Sequence, residues 1–255
     1  MHAPLPDASI LPTDAVRFDP DVALADWGGM PASVLVSGTP HQRGHLYLDD
    51  KARGLQAGVW DCTAMTCKMS PYPVDEFMLL LEGAVEIVLP DGRVTRVEAG
   101  QSFVIPKGLV CQWRQPGYVK KIFVILETPD KPTDRLCTGL AVAGPDHGAS
   151  VAPTPGPEPE ALVSGAPQWS GKDYFEDAGS RLTVGLWAST AYHRKTIPFP
   201  RHELMCLLEG EVTITGPGGK PQTFRAGESF FVPYGAMTDF RTDGDVKKIF
   251  VIYQP

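Results

Sequence analysis

The sequence predicts an all-β protein made of two small barrels or sandwiches in tandem, with few helices. Three observations point there. The chain repeats itself at a single offset, its apolar runs are short and separated by turn residues, and Gly and Pro supply 51 of the 255 residues (26 plus 25). Short apolar runs with such punctuation are strands joined by tight turns, and their regular spacing belongs to a sandwich or barrel rather than to alternating strand and helix.

The repeat offset is 127 residues, and it orders everything else. "LVSGTP" at 35 meets "LVSGAP" at 162, and the register then holds without a gap to the C-terminus. Of the 93 positions from Val36 to Thr128, 40 are identical to their partners in Val163 to Pro255. Two copies of one unit imply two domains of one fold, 36–128 and 163–255. Residues 1–35 form an N-terminal arm expected to pack on the other domain, and 129–162 a Pro/Gly-rich connector without apolar periodicity.

Within a copy the elements come in order. "GLQAGVWDCTA" and "EFMLLLEGAVEIVL" supply strands, "PDG" a turn, and "RVTRVEAG", "QSFVIPKG" and "VKKIFVILE" further strands. Side chains alternate along a strand, so Glu76, Met78 and Leu80 share one face and Phe77, Leu79 and Leu81 the other. Both faces are apolar, so the strand is expected to be covered twice. The lysines of the repeated "VKKIFVI" read as guards at a strand end, protecting a sheet edge.

The bulk chemistry excludes several classes. A net charge of -7 and a pI near 5.4 leave no basic surface to neutralise nucleic-acid phosphates. No apolar run is long enough for a membrane span, and "MHAPLPDASI" lacks the basic and apolar regions of a secretory signal, so a cytoplasmic location is expected. The five cysteines, at 62, 67, 111, 137 and 206, lack the spacing of a disulfide scaffold and fit a reducing compartment. Cys62 and Cys67 are the one close pair; without a second pair they read as thiols rather than zinc ligands.

The order of a carboxylate, "LLEG", a turn and "AGQSFVIPKG", repeated as "LLEG" and "AGESFFVPYG", resembles the two motifs of the cupin superfamily, the double-stranded jelly-roll barrels. The resemblance spans both copies and implies a bicupin of two such barrels. "DEFMLLLEG", "FVIPKGLVCQW" and "VKKIFVI" are most similar to the branch named for ureidoglycine aminohydrolase. Metal-binding cupins carry a His-x-His pair before the motif-one Glu and a third His after the motif-two Gly. At those places copy one has Ser70, Tyr72, Glu76 and Cys111, and copy two has Ile197, Phe199, Glu203 and Thr238. Neither copy holds a histidine there, nor the Glu, His, His and Gln set with which ureidoglycine aminohydrolase holds manganese. The implied ligand set is missing, so no metal and no cofactor are expected.

What remains is a carboxylate facing an apolar barrel interior, which must find a polar partner or stay protonated. In copy one Tyr72, Cys111, Lys68 and Ser70 are on offer beside Glu76, with Trp60 and Trp113 as aromatic walls. In copy two Thr238 and Lys195 stand beside Glu203, with Trp187, Phe199 and Phe240. Copy one is therefore expected to be the more polar cavity. Of the histidines, His202 should point away from its neighbour Glu203, and His193 is expected at the surface or an interface.

Three functions are compatible with these residues. The first is a metal-free bicupin binding a small polar metabolite in barrel one. The second is an enzyme on a ureido compound or sugar derivative, with Glu76 as general acid/base assisted by Tyr72 or Cys111. The third is a structural barrel in which Glu76 and Glu203 fix the interior. The partner is expected to be a small molecule, with neither nucleic acid nor membrane, and the chain a monomer or homodimer.

Overall fold

The computed structural model describes residues 9–127, 147–176 and 182–255. Residues 129–146 of the expected connector, and Cys137 with them, lie outside the described residues. Two three-residue 3-10 turns, Ala32–Val34 and Pro159–Ala161, are the only helical elements among the described residues, and the rest of the regular structure is strand. Among the described residues no helix is long and apolar enough to cross a membrane. Among the described residues one compact unit holds 9–11 and 19–127, and a second holds 12–18, 147–176 and 182–255.

The first unit is a double-sheet barrel. One sheet runs, in order, Ser102–Ile105, Asp75–Glu82, Val119–Leu126, Leu55–Cys62, His41–Asp50 and Ala25–Gly29. The other runs Val94–Glu98, Ala84–Val88, Val110–Gln115, Met65–Cys67 and Leu35–Ser37. Met78, Leu80, Phe103, Ile105 and Phe123 from the first sheet pack with Val85, Ile87, Val97 and Trp113 from the second as one core. The other face of the first sheet is buried too: Val59, Phe77, Val104 and Val124 are all 3% exposed or less. Two-sided burial explains why the 75–82 strand reads as a continuous apolar run.

The second unit repeats the plan. Its larger sheet runs Val16–Phe18, Ser229–Val232, His202–Glu209, Val246–Tyr253, Leu182–Ser189, Trp169–Glu176 and Ala152–Thr154. Its smaller sheet runs Leu162–Gly165, Tyr192–Pro198, Met237–Thr242, Glu211–Thr215 and Pro221–Arg225. Val16–Phe18, from the N-terminal arm, is thus an edge strand of this sheet, antiparallel to Ser229–Val232.

Two repeated details position the interior. Each Val119–Leu126 type strand is central in its sheet, paired on both sides. The expectation that its lysines guard a sheet edge is therefore corrected: no edge exists there. The pairing with the neighbouring strand also slips by one residue between Lys120 and Lys121, and the same slip recurs between Leu207 and Glu209 in the second unit. A bulge of this kind re-aims side chains. Beyond it Lys121 stands opposite Leu80, Phe123 opposite Met78 and Ile125 opposite Glu76, so all six share the interior face.

The glycine that ends each "LLEG" sits where the chain turns into the next strand. Gly83 has φ +79, and a Cβ there would lie 2.1 Å from the Tyr118 carbonyl oxygen; Gly210 has φ +75 and would meet the Asp245 carbonyl at 2.2 Å. Left-handed backbone and the absence of space both require glycine. Gly83→Ala is expected to destabilise the protein by more than about 1 kcal/mol in urea unfolding, and an unchanged midpoint would contradict this account of the repeated glycine.

Candidate functional site

In the first unit the two interior strands bring Glu76 and Lys121 together. Glu76 is 5% exposed and Lys121 6%, and Lys121 Nζ donates to Glu76 Oε1 at 2.7 Å. The ammonium also lies 3.1 Å from Met78 Sδ, 4.7 Å from the Trp60 ring centre and 5.1 Å from that of Trp113. Trp60 stands directly across from Lys121 in the sheet register, which fixes the first of these stacks. A desolvated cation between two indole faces gains on the order of 2 kcal/mol from their quadrupoles. The second carboxylate oxygen of Glu76 accepts from the Tyr72 hydroxyl. Burial and the Glu76 charge push the Tyr72 phenol well above the usual tyrosine range, so it remains a donor.

This cluster opens into a cavity of about 420 Å³. All seven residues expected there line it: Trp60, Lys68, Ser70, Tyr72, Glu76, Cys111 and Trp113. Lys68 and Ser70 are exposed, whereas Cys111 is buried. Trp27 and Met30, which precede the repeat, close part of the wall. Burial pushes the Cys111 thiol up to about 11, so it is protonated at neutral pH and poorly suited to act as a nucleophile. Cys62, Cys67, Cys111 and Cys206 are all free thiols.

The donor set does not fit the metal that the cupin resemblance implies for many members. Both oxygens of Glu76 are already engaged, one by an ammonium whose charge would oppose a divalent ion, and the neighbouring donors are a phenol, a hydroxyl and a protonated thiol. First-row metals need three or four converging ligands, usually imidazole, carboxylate or thiolate. Among the described residues no group of three His, Cys, Asp or Glu is placed to hold an ion.

The second unit keeps the ion pair and changes its surroundings. Lys248 Nζ donates to Glu203 Oε1 at 2.6 Å, with Met205 Sδ at 3.2 Å and the Trp187 ring centre at 4.7 Å. Here the other carboxylate oxygen accepts from Arg201 Nε at 2.9 Å. Burial pushes the Glu203 carboxyl up, but Lys248 and Arg201 outweigh it and hold the group below the usual carboxylate range. The associated cavity, about 340 Å³, is lined by Trp187, Phe199, Glu203 and Phe240 as expected.

Two expected members of this second cavity are corrected. Lys195 is exposed and donates to the Glu160 carbonyl, because its strand turns that side chain outward. Thr238 is buried but does not line the cavity; its hydroxyl accepts from Arg194. The expectation that copy one is the more polar cavity is corrected as well, since Arg194, Arg201 and Lys248 all face the second one. His193 bonds Asp239 and is not among the cavity residues, and His202 stacks on Phe231.

Lys121, Lys248, Arg194 and Arg201 escaped the sequence reading, although a signal was present. The verbatim repeat "VKKIFVI" places a lysine on the same alternation as Phe123 and Ile125, the phase of an inward residue. Comparing the copies at offset 127 also sets Arg194 against Cys67 and Arg201 against Val74.

Removing one partner of a buried ion pair leaves an uncompensated charge. Lys121→Met should cost about 3–5 kcal/mol, while the double change Lys121→Met with Glu76→Leu should recover most of that loss. A urea-unfolding double-mutant cycle measures both; additive losses would show that the pair is not coupled.

The EutQ-like cupin domain model matches residues 50–123 and again 177–250. No curated protein matches the chain. Among solved structures, a protein of unknown function from Pseudomonas syringae pv. tomato is similar at 24% identity and a TM-score of 0.77, covering 94% of this chain and all of that one. A Cupin 2 conserved barrel domain protein from Leptotrichia buccalis is similar at 12% identity and TM-score 0.56, covering 84% of this chain and 89% of that one. A protein named for induction by glyoxylate, from Pseudomonas aeruginosa, shares 12% identity at TM-score 0.59, covering 98% and 93%. These likenesses carry the fold, and the doubled match carries the family. With two barrels of one plan, each closed around the same buried Glu–Lys pair, the chain belongs to the EutQ-like cupin domain family as a tandem bicupin.

Proposed function

We propose that the first barrel binds a small polar metabolite on Lys121, Glu76 and Tyr72, without a metal at the positions other cupins use. The observation that carries this is a cavity of about 420 Å³ with a buried ammonium, carboxylate and phenol on its wall. A largely apolar pocket with a few convergent polar groups is how proteins hold small molecules. Trp60 and Trp113 favour a flat ligand, and Lys121 with Tyr72 favours one that can exchange hydrogen bonds with both. The acting species in this reading is a monomer or homodimer in the cytoplasm, a setting that the free thiols support.

The position of Glu76 supports a second reading, as an enzyme. Its two oxygens each receive a proton-bearing group, Tyr72 on one and Lys121 on the other, so a proton can pass among three groups shielded from bulk water. The similarity of "DEFMLLLEG" and its companions to the ureidoglycine aminohydrolase branch suggests a small ureido compound, and other cupins a sugar derivative. In this reading Glu76 is the general acid/base and Tyr72 its partner. Cys111 contributes shape rather than chemistry.

Protein purified without an affinity tag is expected to carry manganese, iron, nickel, copper and zinc far below one per chain by elemental mass spectrometry; near-stoichiometric metal would defeat the metal-free reading. A thermal-shift screen of ureido and polyhydroxy compounds should find ligands whose stabilisation disappears in Glu76→Gln. Turnover of such a compound that is lost in Glu76→Gln while binding persists would select the enzyme over the binder.

A further inference from the structure

We propose that the second barrel is a separate binding site for a small organic carboxylate on an apolar or aromatic body, held by Arg194 and Trp169. Duplication left the Glu–Lys pair intact here, but Cys67 of the first barrel is answered by Arg194, Val74 by Arg201, and Gln42 by Trp169. Setting aside the exposed Lys68 of the first cavity and the exposed Lys172 and Asp173 of the second, the exchange turns a cavity with one internal ion pair into one with surplus positive charge. Arg201 and Lys248 share a single carboxylate, Glu203, and both oxygens of that group are consumed. Among the described residues Arg194 has no carboxylate at hydrogen-bond or ion-pair distance; one of its two terminal nitrogens, Nη2, donates to the backbone and hydroxyl oxygens of Thr238, at 3.3 and 3.1 Å. In a chain of net charge -7 such a buried surplus is a local exception.

Two buried donors are left unsatisfied among the residues that line this cavity, Arg194 Nε and Trp169 Nε1. Buried donors are costly to leave unpaired, and a guanidinium keeps its charge even where burial disfavours it. An anion with two oxygens answers both needs, because a guanidinium binds carboxylate in a planar, two-point geometry. Much of the rest of the wall is aromatic, beside Thr154, Met205, Ile252 and the exposed Lys172 and Asp173. Trp169 meets Trp187 edge to face at 5.5 Å, and Tyr192 stacks on Phe240 at 5.5 Å. Phe199, standing where the first barrel has Tyr72, removes the phenol that would otherwise compete for the anion. Rings on this scale favour an apolar body behind the charged head and disfavour a bare or polyhydroxylated phosphate.

Benzoate is the probe, titrated into the full chain at neutral pH and low salt, with calorimetry and tryptophan fluorescence as readouts. One benzoate per chain is expected, with affinity reduced at least tenfold in Arg194→Met and several-fold in Trp169→Phe. Trp169→Phe keeps an aromatic ring while removing the pyrrole half of the indole with its N–H, so it reports even where Arg194→Met does not fold. Absence of saturable benzoate binding, affinity unmoved by both substitutions, or a comparable loss in Tyr72→Phe of the first barrel would each overturn the proposal. Inorganic phosphate binding in preference to benzoate would overturn the choice of carboxylate.

Discussion

Everything in this protein's interior is arranged around one awkward requirement, a carboxylate and an ammonium sealed together inside a hydrophobic barrel. Such a pair is poor at stabilising a fold, since desolvating two charges consumes most of what their attraction returns. The barrel meets the requirement with a fixed set of contacts. A methionine sulfur and a tryptophan face attend each ammonium, and a hydroxyl or guanidinium completes each carboxylate. The bulge beside each lysine is part of the same solution, because the extra residue in the partner strand, Leu81 or Leu208, sets Lys121 opposite Leu80 and Lys248 opposite Leu207.

The duplication, the strand-rich fold and the two inward carboxylates were legible in the sequence because they are local. An ungapped offset, turn residues and alternation need no knowledge of which strand neighbours which. Lys121 was not legible in the same way. Alternation puts it in phase with Phe123 and Ile125, but its strand is apolar on both faces, so only the sheet order shows that the strand is central rather than marginal and which of the two phases faces the interior. The second cavity was misread for a related reason. Attention to four motif positions passed over Arg194 and Arg201, which enter from other points of the barrel wall and are visible only when every column of the repeat is compared.

Taken together, the two barrels show how a duplicated scaffold diverges while its most constrained feature stays put. The ion pair and its methionine and tryptophan neighbours are shared, whereas the groups that complete the carboxylate are not: a tyrosine in one copy, an arginine in the other. The pair behaves as frame and the flanking residues as the variable part, which is the division expected when function is carried by sites placed on a common fold.

The strand Val16–Phe18 gives the molecule a further property. It lies along Ser229–Val232, a Ser-Phe-Phe-Val segment with every residue buried, and Arg17 anchors it by an ion pair to Glu228 and by lying over the Phe224 ring. Residues that look like a dispensable leader are therefore the seal on an otherwise open β-edge. A chain shortened past Phe18 would offer a row of unpaired backbone groups beside two phenylalanines, a template for strand addition by another copy, and solubility rather than chemistry would be the first thing lost.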